Sequence, residues 1–229
     1  MRRAAPAAMI VAALAAVAAL GACDRGEASE PDAAVDAPVD APRPEPGARR
    51  GTFELTYYWV TAEADYPGTP SETLYAPGCT KLARVTPEFA RNLRLEGTGR
   101  LADGRVVNVA GSCGCATSPC FAEVDAGHPW GIGVQNRPLV PYRSVAVDRS
   151  VVPYGTKLWV AELDGVAVPG DPPWGGYVHD GCVVAADTGG SIVGQHVDWF
   201  VGLRASYRTL DAALDRTTIT VHDAGARCP

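Results

Sequence analysis

The chain has 229 residues, of which 47% are hydrophobic and 20% are charged, a balance that suits a globular core. Its formal net charge is −6, and an acidic chain without a basic patch argues against nucleic acid as a partner. The 25 glycines and 19 prolines indicate many turns, which favours β-structure over helix.

The N-terminus has the pattern of an export signal. The basic stretch MRRAAP precedes the apolar run AAMIVAALAAVAAL, which is too short for a confident membrane span. The run ends in LGAC, a small-residue site that leads directly into Cys23 and resembles a bacterial lipobox. In that class of protein the peptide is cut before the cysteine, so residues 1–22 would be a lipoprotein signal peptide and Cys23 the lipidated residue. An ordinary signal peptide with an incidental cysteine is the alternative.

Residues 23–50 are predicted to be a disordered linker behind this lipid anchor. The stretch is rich in proline, alanine and acidic residues, contains no aromatic residue and repeats VDAP, so it cannot bury enough apolar area to offset its chain entropy. The folded domain is expected at residues 51–229. The sequence thus predicts an exported protein held at the periplasmic face of a bacterial membrane, with the outer membrane as one option.

Six cysteines remain once Cys23 is assigned to lipid: Cys79, Cys113, Cys115, Cys120, Cys182 and Cys228. An even number in an exported chain predicts up to three disulfides. The pairing stays open, although Cys113 and Cys115 are too close in sequence to bond to each other without strain. A zinc site in CGCATSPC is the alternative, which its uncommon spacing and an oxidising compartment disfavour. No metal and no other cofactor is expected.

The first half of the domain contains one strand, one helix and one hairpin by pattern. The alternation in GTFELTYYWVTAE predicts a strand. In VTPEFARNLRLEG, Thr86 is the candidate N-cap, Pro87 takes the first helical position and Gly97 ends a short helix. The Asp103-Gly104 pair in GRLADGRVVNVAG predicts a hairpin turn.

The second half begins with an irregular, turn-rich segment over residues 113–142 and continues as short β-like runs. These runs are RSVAVD, TKLWVAEL, GCVVAAD, HVDWFVG and TTITVHD, and ASYRTLDAALDR is a second helix candidate. Short strands at nearly regular spacing predict a closed barrel or a sandwich. The absence of a βα alternation argues against a doubly wound sheet.

Carboxylates are the best candidates for chemistry, because the sequence has no GxSxG, HExxH or phosphate-binding loop pattern. Asp148 and Asp187 close apolar runs, and Asp198 lies inside one. A partly buried carboxylic acid has a raised pKa and can deliver a proton to a leaving oxygen, as glycosidic cleavage requires. The alternative for an acid at a strand end is a turn cap. Trp199, next to Asp198, is either a core residue or a platform for a sugar ring.

Two long stretches resemble a known family. These are SVAVDRSVVPYGTKLWV (residues 144–160) and AADTGGSIVGQHVDWFVG (residues 185–202), together with the opening FELTYYW. They are similar to the three-aspartate (3D) domain, the double-psi β-barrel of membrane-bound lytic transglycosylase A and its relatives. The resemblance covers about residues 139–202. It implies a mainly all-β fold, a six-stranded double-psi β-barrel with one or two short helices and a disulfide-bearing insertion at about residues 60–135.

The resemblance also implies an activity, the cleavage of peptidoglycan glycan strands by lytic transglycosylation with a 1,6-anhydromuramoyl product. Asp198 would act as the acid and then as the base, Asp187 would support it, and Asp148 would order a strand-end turn. The remaining substrate-binding or supporting residues would be Thr188, Gly189, Gly190 and Trp199, with the glycine pair allowing the backbone to approach the ligand closely. Val193 stands where the family usually has a lysine.

The expected partner is peptidoglycan or a related polysaccharide, and the oligomeric state stays open. Three alternatives remain beside the transglycosylase. One is a hydrolase of the same O-glycosyl bond. The others are a non-catalytic cell-wall-binding lipoprotein module and a structural lipoprotein domain that retains only the fold.

Overall fold

The computed structural model describes residues 43–229, so the predicted signal peptide, Cys23 and most of the predicted linker lie outside the described residues. The described part contains twelve strands and two helices. The strands are β1 (Arg49–Tyr58), β2 (Thr61–Ala62), β3 (Glu72–Tyr75), β4 (Lys81–Val85), β5 (Thr98–Arg100), β6 (Val106–Gly111), β7 (Cys120–Glu123), β8 (Ser144–Val147), β9 (Lys157–Ala167), β10 (Val178–Asp187), β11 (His196–Phe200) and β12 (Thr218–Asp223). The helices are α1 (Pro87–Glu96) and α2 (Arg204–Leu214).

Six strands close into a barrel in the order β1, β11, β8, β10, β9, β12. The pairs β1/β11 and β8/β10 are parallel, and the other four pairs are antiparallel. Apolar side chains fill the interior, among them Phe53, Leu55, Val145, Trp199 and Ile219. The predicted mainly β fold, with a six-stranded barrel, two short helices and disulfides, is confirmed.

The alternation of side chains along a strand determines which of them face away from the barrel core. Val197 and Trp199 of β11 are buried in the interior, whereas Asp198 between them lies on the outer face. On β1, Leu55 likewise faces the core, and Thr56 faces outward beside Asp198. The outer face of β1 and β11 therefore carries polar groups next to one another.

The chain between β1 and β8 forms a folded insertion. It consists of the sheet β2-β5-β6-β7, the hairpin β3/β4 and helix α1. It has a core of its own, which includes Tyr66, Leu74, Val85, Phe89, Leu93 and Phe121. This segment occupies the place in the chain where an insertion at about residues 60–135 is expected.

Helix α1 has the predicted ends. Thr86 Oγ1 accepts a hydrogen bond from the Phe89 backbone N–H at 3.2 Å, and Pro87 takes the first helical position. Gly97 ends the helix with a φ of +77°, a conformation that glycine adopts without the steric penalty of a Cβ atom. Neither of the helices in residues 43–229 is long and apolar enough to cross a membrane.

The insertion contains more strand than the sequence predicts. The hairpin around Asp103 and Gly104 joins β5 to β6 as expected. Strands β3, β4 and β7 are not anticipated, and β7 lies inside the segment that reads as irregular. Each is four or five residues long, and β7 is held by pairing with β6, where Phe121 lies opposite Val109 and is completely buried.

Three disulfides link Cys79 to Cys115, Cys113 to Cys120, and Cys182 to Cys228. The first two tie the insertion together, and the third joins β10 to the C-terminus. The sulfur atoms of Cys113, Cys115 and Cys120 lie within 4.8 Å of one another, but all three are disulfide-bonded and so offer no free thiolate to zinc.

The ordered barrel begins before residue 51. Strand β1 starts at Arg49, and the Gly47 backbone N–H already donates to Asp223 O at 2.9 Å. Composition predicts the boundary at residue 51 because the stretch before it is rich in proline, alanine and acidic residues and contains no aromatic residue. Backbone pairing with β12 holds residues 49–51 without help from such side chains.

Candidate functional site

A cleft of about 430 Å³ lies between the outer face of the barrel and the insertion. The barrel wall consists of Tyr58 of β1, Ala146 of β8, Asp187 at the end of β10, Asp198 in the middle of β11 and the loop of residues 188–192. The opposite wall consists of residues 94–98 at the end of α1, part of β6 and residues 132–134. The insertion therefore supplies one wall of the cleft that contains Asp187 and Asp198.

Four residues form a row across neighbouring barrel strands. Thr56 pairs with Asp198, Asp198 pairs with Ala146, and Ala146 pairs with Asp187. Two strand spacings separate the aspartates, which puts their Cα atoms about 10 Å apart. The small side chain of Ala146 leaves the space between the two carboxyl groups open to the cleft.

Asp198 is held by a single short hydrogen bond. Its Oδ1 accepts from the Thr56 hydroxyl at 2.7 Å, and burial raises the pKa of the Asp198 carboxyl while Thr56 and His196 partly oppose that rise. His196 Nε2 lies 2.8 Å from the Thr56 oxygen. Because the one hydroxyl proton points to Asp198, His196 must donate its Nε2–H to Thr56.

Asp187 is buried to a similar extent but has more donors. The Tyr58 hydroxyl donates to its Oδ2 at 3.1 Å, and the Thr188 backbone N–H donates to its Oδ1 at 2.9 Å. Burial nevertheless raises the pKa of Asp187 to about 6, and the charge of Asp198 adds to the rise. Burial and the nearby carboxylates also raise the pKa of Tyr58 well above its ordinary value, which keeps Tyr58 a donor.

A third carboxyl group, Glu96, faces the same cleft from the insertion. Its Oε2 accepts a hydrogen bond from the Trp59 backbone N–H at 3.1 Å. Burial, the largest cause, raises the pKa of Glu96 to about 7, and the charge of Asp198 contributes. The cleft thus contains three acids whose pKa values all lie above their ordinary ones.

Asp148 lies outside the lining of this cleft. Its two oxygens accept from the Gly194 backbone N–H at 2.8 Å, from the Ser150 N–H at 2.8 Å and from the Ser150 hydroxyl at 2.7 Å. These hydrogen bonds, led by that of Gly194, lower the pKa of Asp148. The carboxylate connects the turn after β8 to the loop before β11.

The sugar-platform interpretation of Trp199 is wrong. Its side chain is completely buried in the barrel core, and its Nε1 donates to Tyr142 O at 2.9 Å. Strand alternation puts it on the opposite side of β11 from Asp198. Thr188, Gly189 and Gly190 do line the cleft. Val193 is 70% exposed and lies outside the lining.

Sequence reasoning missed Thr56, Tyr58, His196 and Glu96 as members of the site. Thr56 and Tyr58 alternate with the core residues Leu55 and Tyr57, a signal that was present in FELTYYW. Glu96 ends a helix directly before Gly97, where the helix dipole favours a cation over an acid.

A scan against family models matches residues 143–211 to the 3D domain. No curated protein sequence matches the chain. Among solved structures, E. coli MltA with bound chitohexaose is similar over 76% of this chain and 72% of its own, with 19% identity and a TM-score of 0.53.

Two further structures are also similar. A membrane-bound lytic murein transglycosylase from Agrobacterium tumefaciens has 15% identity, a TM-score of 0.47 and coverage of 77% of this chain and 75% of its own. The lytic transglycosylase LtgG of Burkholderia pseudomallei has 20% identity, a TM-score of 0.41 and coverage of 75% and 70%. Residues 143–211 of the chain, which include Asp148, Asp187 and Asp198, therefore match the 3D domain and lie in a barrel with the fold of E. coli MltA.

Proposed function

We propose that this protein cleaves peptidoglycan glycan strands by lytic transglycosylation. The observation that carries the proposal is the pair Asp187 and Asp198, two partly buried carboxyl groups with raised pKa values on either side of Ala146 in one cleft. Both belong to the segment that matches the 3D domain. The similar fold of E. coli MltA, whose structure contains chitohexaose, supports an oligosaccharide as the ligand.

Asp198 is the acid and then the base in this mechanism. Its protonated form donates to the glycosidic oxygen between N-acetylmuramic acid and N-acetylglucosamine as the bond from C1 to that oxygen breaks. The resulting carboxylate then accepts the proton of the muramoyl C6 hydroxyl, whose oxygen forms the new bond to C1. The proton returns to Asp198 and no water is consumed. Burial of the carboxyl group keeps part of it protonated above its ordinary pKa range.

The neighbouring groups have supporting roles. Ionised Asp187 stabilises positive charge that develops at C1, and the donors Tyr58 and Thr188 N–H hold its carboxylate in place. Thr56 fixes the orientation of Asp198 through the 2.7 Å hydrogen bond. Asp148 positions the loop that leads into β11 and does not touch the glycan.

Product analysis tests this function. The full-length protein is incubated with purified peptidoglycan and the soluble fragments are analysed by mass spectrometry. We expect anhydromuropeptides, which are lighter by one water than the hydrolysis products. Reducing-end fragments would instead identify a hydrolase, for which water replaces the C6 hydroxyl. Sedimentation with peptidoglycan without any product would identify a binding module.

We further propose that the protein is anchored by lipid on Cys23 at the periplasmic face of a bacterial membrane. The support is the sequence MRRAAP, the apolar run and LGAC. The mass of the mature N-terminal peptide from a bacterial membrane fraction tests the anchor. A diacylglyceryl cysteine at Cys23, with release of the Cys23→Ser variant from membranes, is expected. A mature chain that retains residues 1–22 contradicts it.

A further inference from the structure

Glu96 occupies an unusual position for an acid. It is the last residue of α1, and the C-terminal end of a helix has partial negative charge, which disfavours a carboxylate. The helix is fixed by Phe89, Ala90 and Leu93, which are buried in the insertion core. Its C-terminal turn therefore presents Glu96 to the cleft in a set position rather than as a mobile surface side chain.

The carboxyl group of Glu96 has one protein partner within residues 43–229. Oε2 accepts from the Trp59 backbone N–H, and Glu96 takes part in no ion pair in this part of the chain. Arg94 on the same helix also lines the cleft, but its guanidinium is paired with Glu72. Oε1 is therefore the Glu96 oxygen that remains available to a ligand in the cleft.

Several neighbouring groups act on the pKa of Glu96. Asp198 on β11 raises the pKa of Glu96, Arg204 on α2 lowers it, and Tyr58 on β1 remains neutral. Asp187 on β10 also responds to the charge of Asp198. With a pKa of about 7 against about 6 for Asp187, Glu96 keeps its proton to higher pH than Asp187 does.

Protonated Glu96 has one geometry that satisfies both of its oxygens. Oε2 continues to accept the Trp59 N–H, so the proton lies on Oε1 and points to the cleft. Glycans present hydroxyl and amide carbonyl oxygens, which accept such a proton. Ionised Glu96 has no donor and would repel the anionic groups of a peptidoglycan strand.

We propose that protonated Glu96 is a saccharide-binding residue, which donates a hydrogen bond from Oε1 to an oxygen of the glycan from the insertion wall. The proposal rests on the proposed function, because the ligand is the same glycan. It gives the insertion a direct role in substrate recognition. Glycan affinity then falls as the pH rises through the range in which Glu96 ionises.

Binding of chitohexaose to the full-length protein at about pH 5.5 and about pH 8.5 tests this role, measured by isothermal titration calorimetry. We expect the wild-type affinity to fall by about threefold to tenfold at the higher pH, the effect of one hydrogen bond. Glu96→Gln retains an N–H donor, so its affinity should fall less than that of wild type at the higher pH, and the fall that remains is the effect of Asp187, which ionises in the same range. Glu96→Ala should show the weaker affinity at both.

Glu88→Gln is the matched control, since Glu88 is an exposed glutamate in the first turn of the same helix. It should retain the wild-type pH dependence. Thermal unfolding of each variant confirms that the insertion is folded. A wild-type affinity that does not change with pH would overturn the inference, as would a Glu96→Gln variant that loses affinity like wild type.

The outcome for Glu96 can be separated from the outcome for the proposed function. If peptidoglycan yields anhydromuropeptides but the affinity for chitohexaose is the same in wild type and in the Glu96 variants, the inference fails and the function stands. If the wild-type protein neither binds chitohexaose at low pH nor releases products from peptidoglycan, the proposed function fails and the inference fails with it.

Discussion

The three aspartates of the 3D-like segment belong to two different environments. Asp148 accepts three hydrogen bonds from nearby groups, which stabilise its charged form and lower its pKa. Asp187 and Asp198 are partly buried and have fewer donors, so loss of hydration dominates and their pKa values rise. The three aspartates thus divide into one whose charged form is stabilised by hydrogen bonds and two whose charged form is disfavoured by loss of hydration.

The Thr56 hydroxyl limits the rise that burial causes in the pKa of Asp198. The Thr56→Val variant removes the hydroxyl that donates to Asp198 Oδ1, so the pKa of Asp198 should rise further. More of the acid form then persists at higher pH, and the pH profile of anhydromuropeptide release should move upward by about one unit. Thr56→Ser keeps the hydroxyl and should keep the wild-type profile. A Thr56→Val profile that coincides with wild type would show that Asp198 is not the titrating acid.

The motif residues could be predicted from sequence, but their partners could not. Asp187 and Asp198 stand in recognisable stretches, AADTGG and QHVDWF. Tyr58 donates to Asp187 across 129 positions of sequence, a contact that depends on the barrel order rather than on any local pattern. The burial of Trp199, in contrast, could be predicted, because neighbouring residues on a strand such as β11 face opposite sides and Asp198 faces the cleft.

Elements with strong terminal signals were predictable, and short paired strands were not. Helix α1 begins at Thr86 and Pro87 and ends at Gly97, as capping rules require. Strands β3 and β4 have no comparable signal, because their stability comes from pairing with each other and from burial of Leu74. Local propensity describes the first kind of element well, whereas the second depends on tertiary contacts.

The N-cap of α1 should be important to the insertion. Thr86 is buried, its oxygen accepts from Phe89 N–H and its hydroxyl donates to Tyr66 O at 3.1 Å. Thr86→Ala should lower the free energy of unfolding by about 1–2 kcal/mol, as loss of a cap does elsewhere. Urea unfolding followed by circular dichroism measures the change, with Thr86→Ser as the control. Equal stability of the alanine variant and wild type would show that the cap contributes nothing.

The whole molecule combines two cores around one cleft. The barrel core and the insertion core are separate clusters, and the cleft between them is lined by Glu96 on α1 of the insertion and Asp198 on β11 of the barrel. These two residues are about a hundred positions apart in the chain, and no sequence pattern connects them. The barrel was therefore recognisable from its motifs, while the second wall of the site emerged only from the folded chain.

The raised pKa values make stability depend on pH. Folding raises the pKa of Glu96 from 4.5 to about 7 and that of Asp187 from 3.8 to about 6. Between these values the folded state binds more protons than the unfolded state, so stability falls as pH rises through this window. The free energy of unfolding should be lower at about pH 7.5 than at about pH 4.5 by on the order of 1–3 kcal/mol.

Urea unfolding at the two pH values measures this loss, with Glu96→Gln as the informative variant and Glu88→Gln as its control. Asp148 does not contribute to this loss, because its pKa is lowered and it is ionised at both pH values. Glu96→Gln should lose less stability than wild type on going to the higher pH. An identical loss in both proteins would mean that Glu96 has an ordinary pKa in the folded state.

The most direct test of the whole account is the rate at which Asp198→Asn releases anhydromuropeptides from purified peptidoglycan. Asparagine keeps the size of the side chain and removes the acidic carboxyl group, so the rate should fall by at least about a hundredfold. Asp171→Asn, at an exposed aspartate outside the cleft, should match wild type. Release by Asp198→Asn at the wild-type rate would contradict the central claim that Asp198 is the proton donor and acceptor.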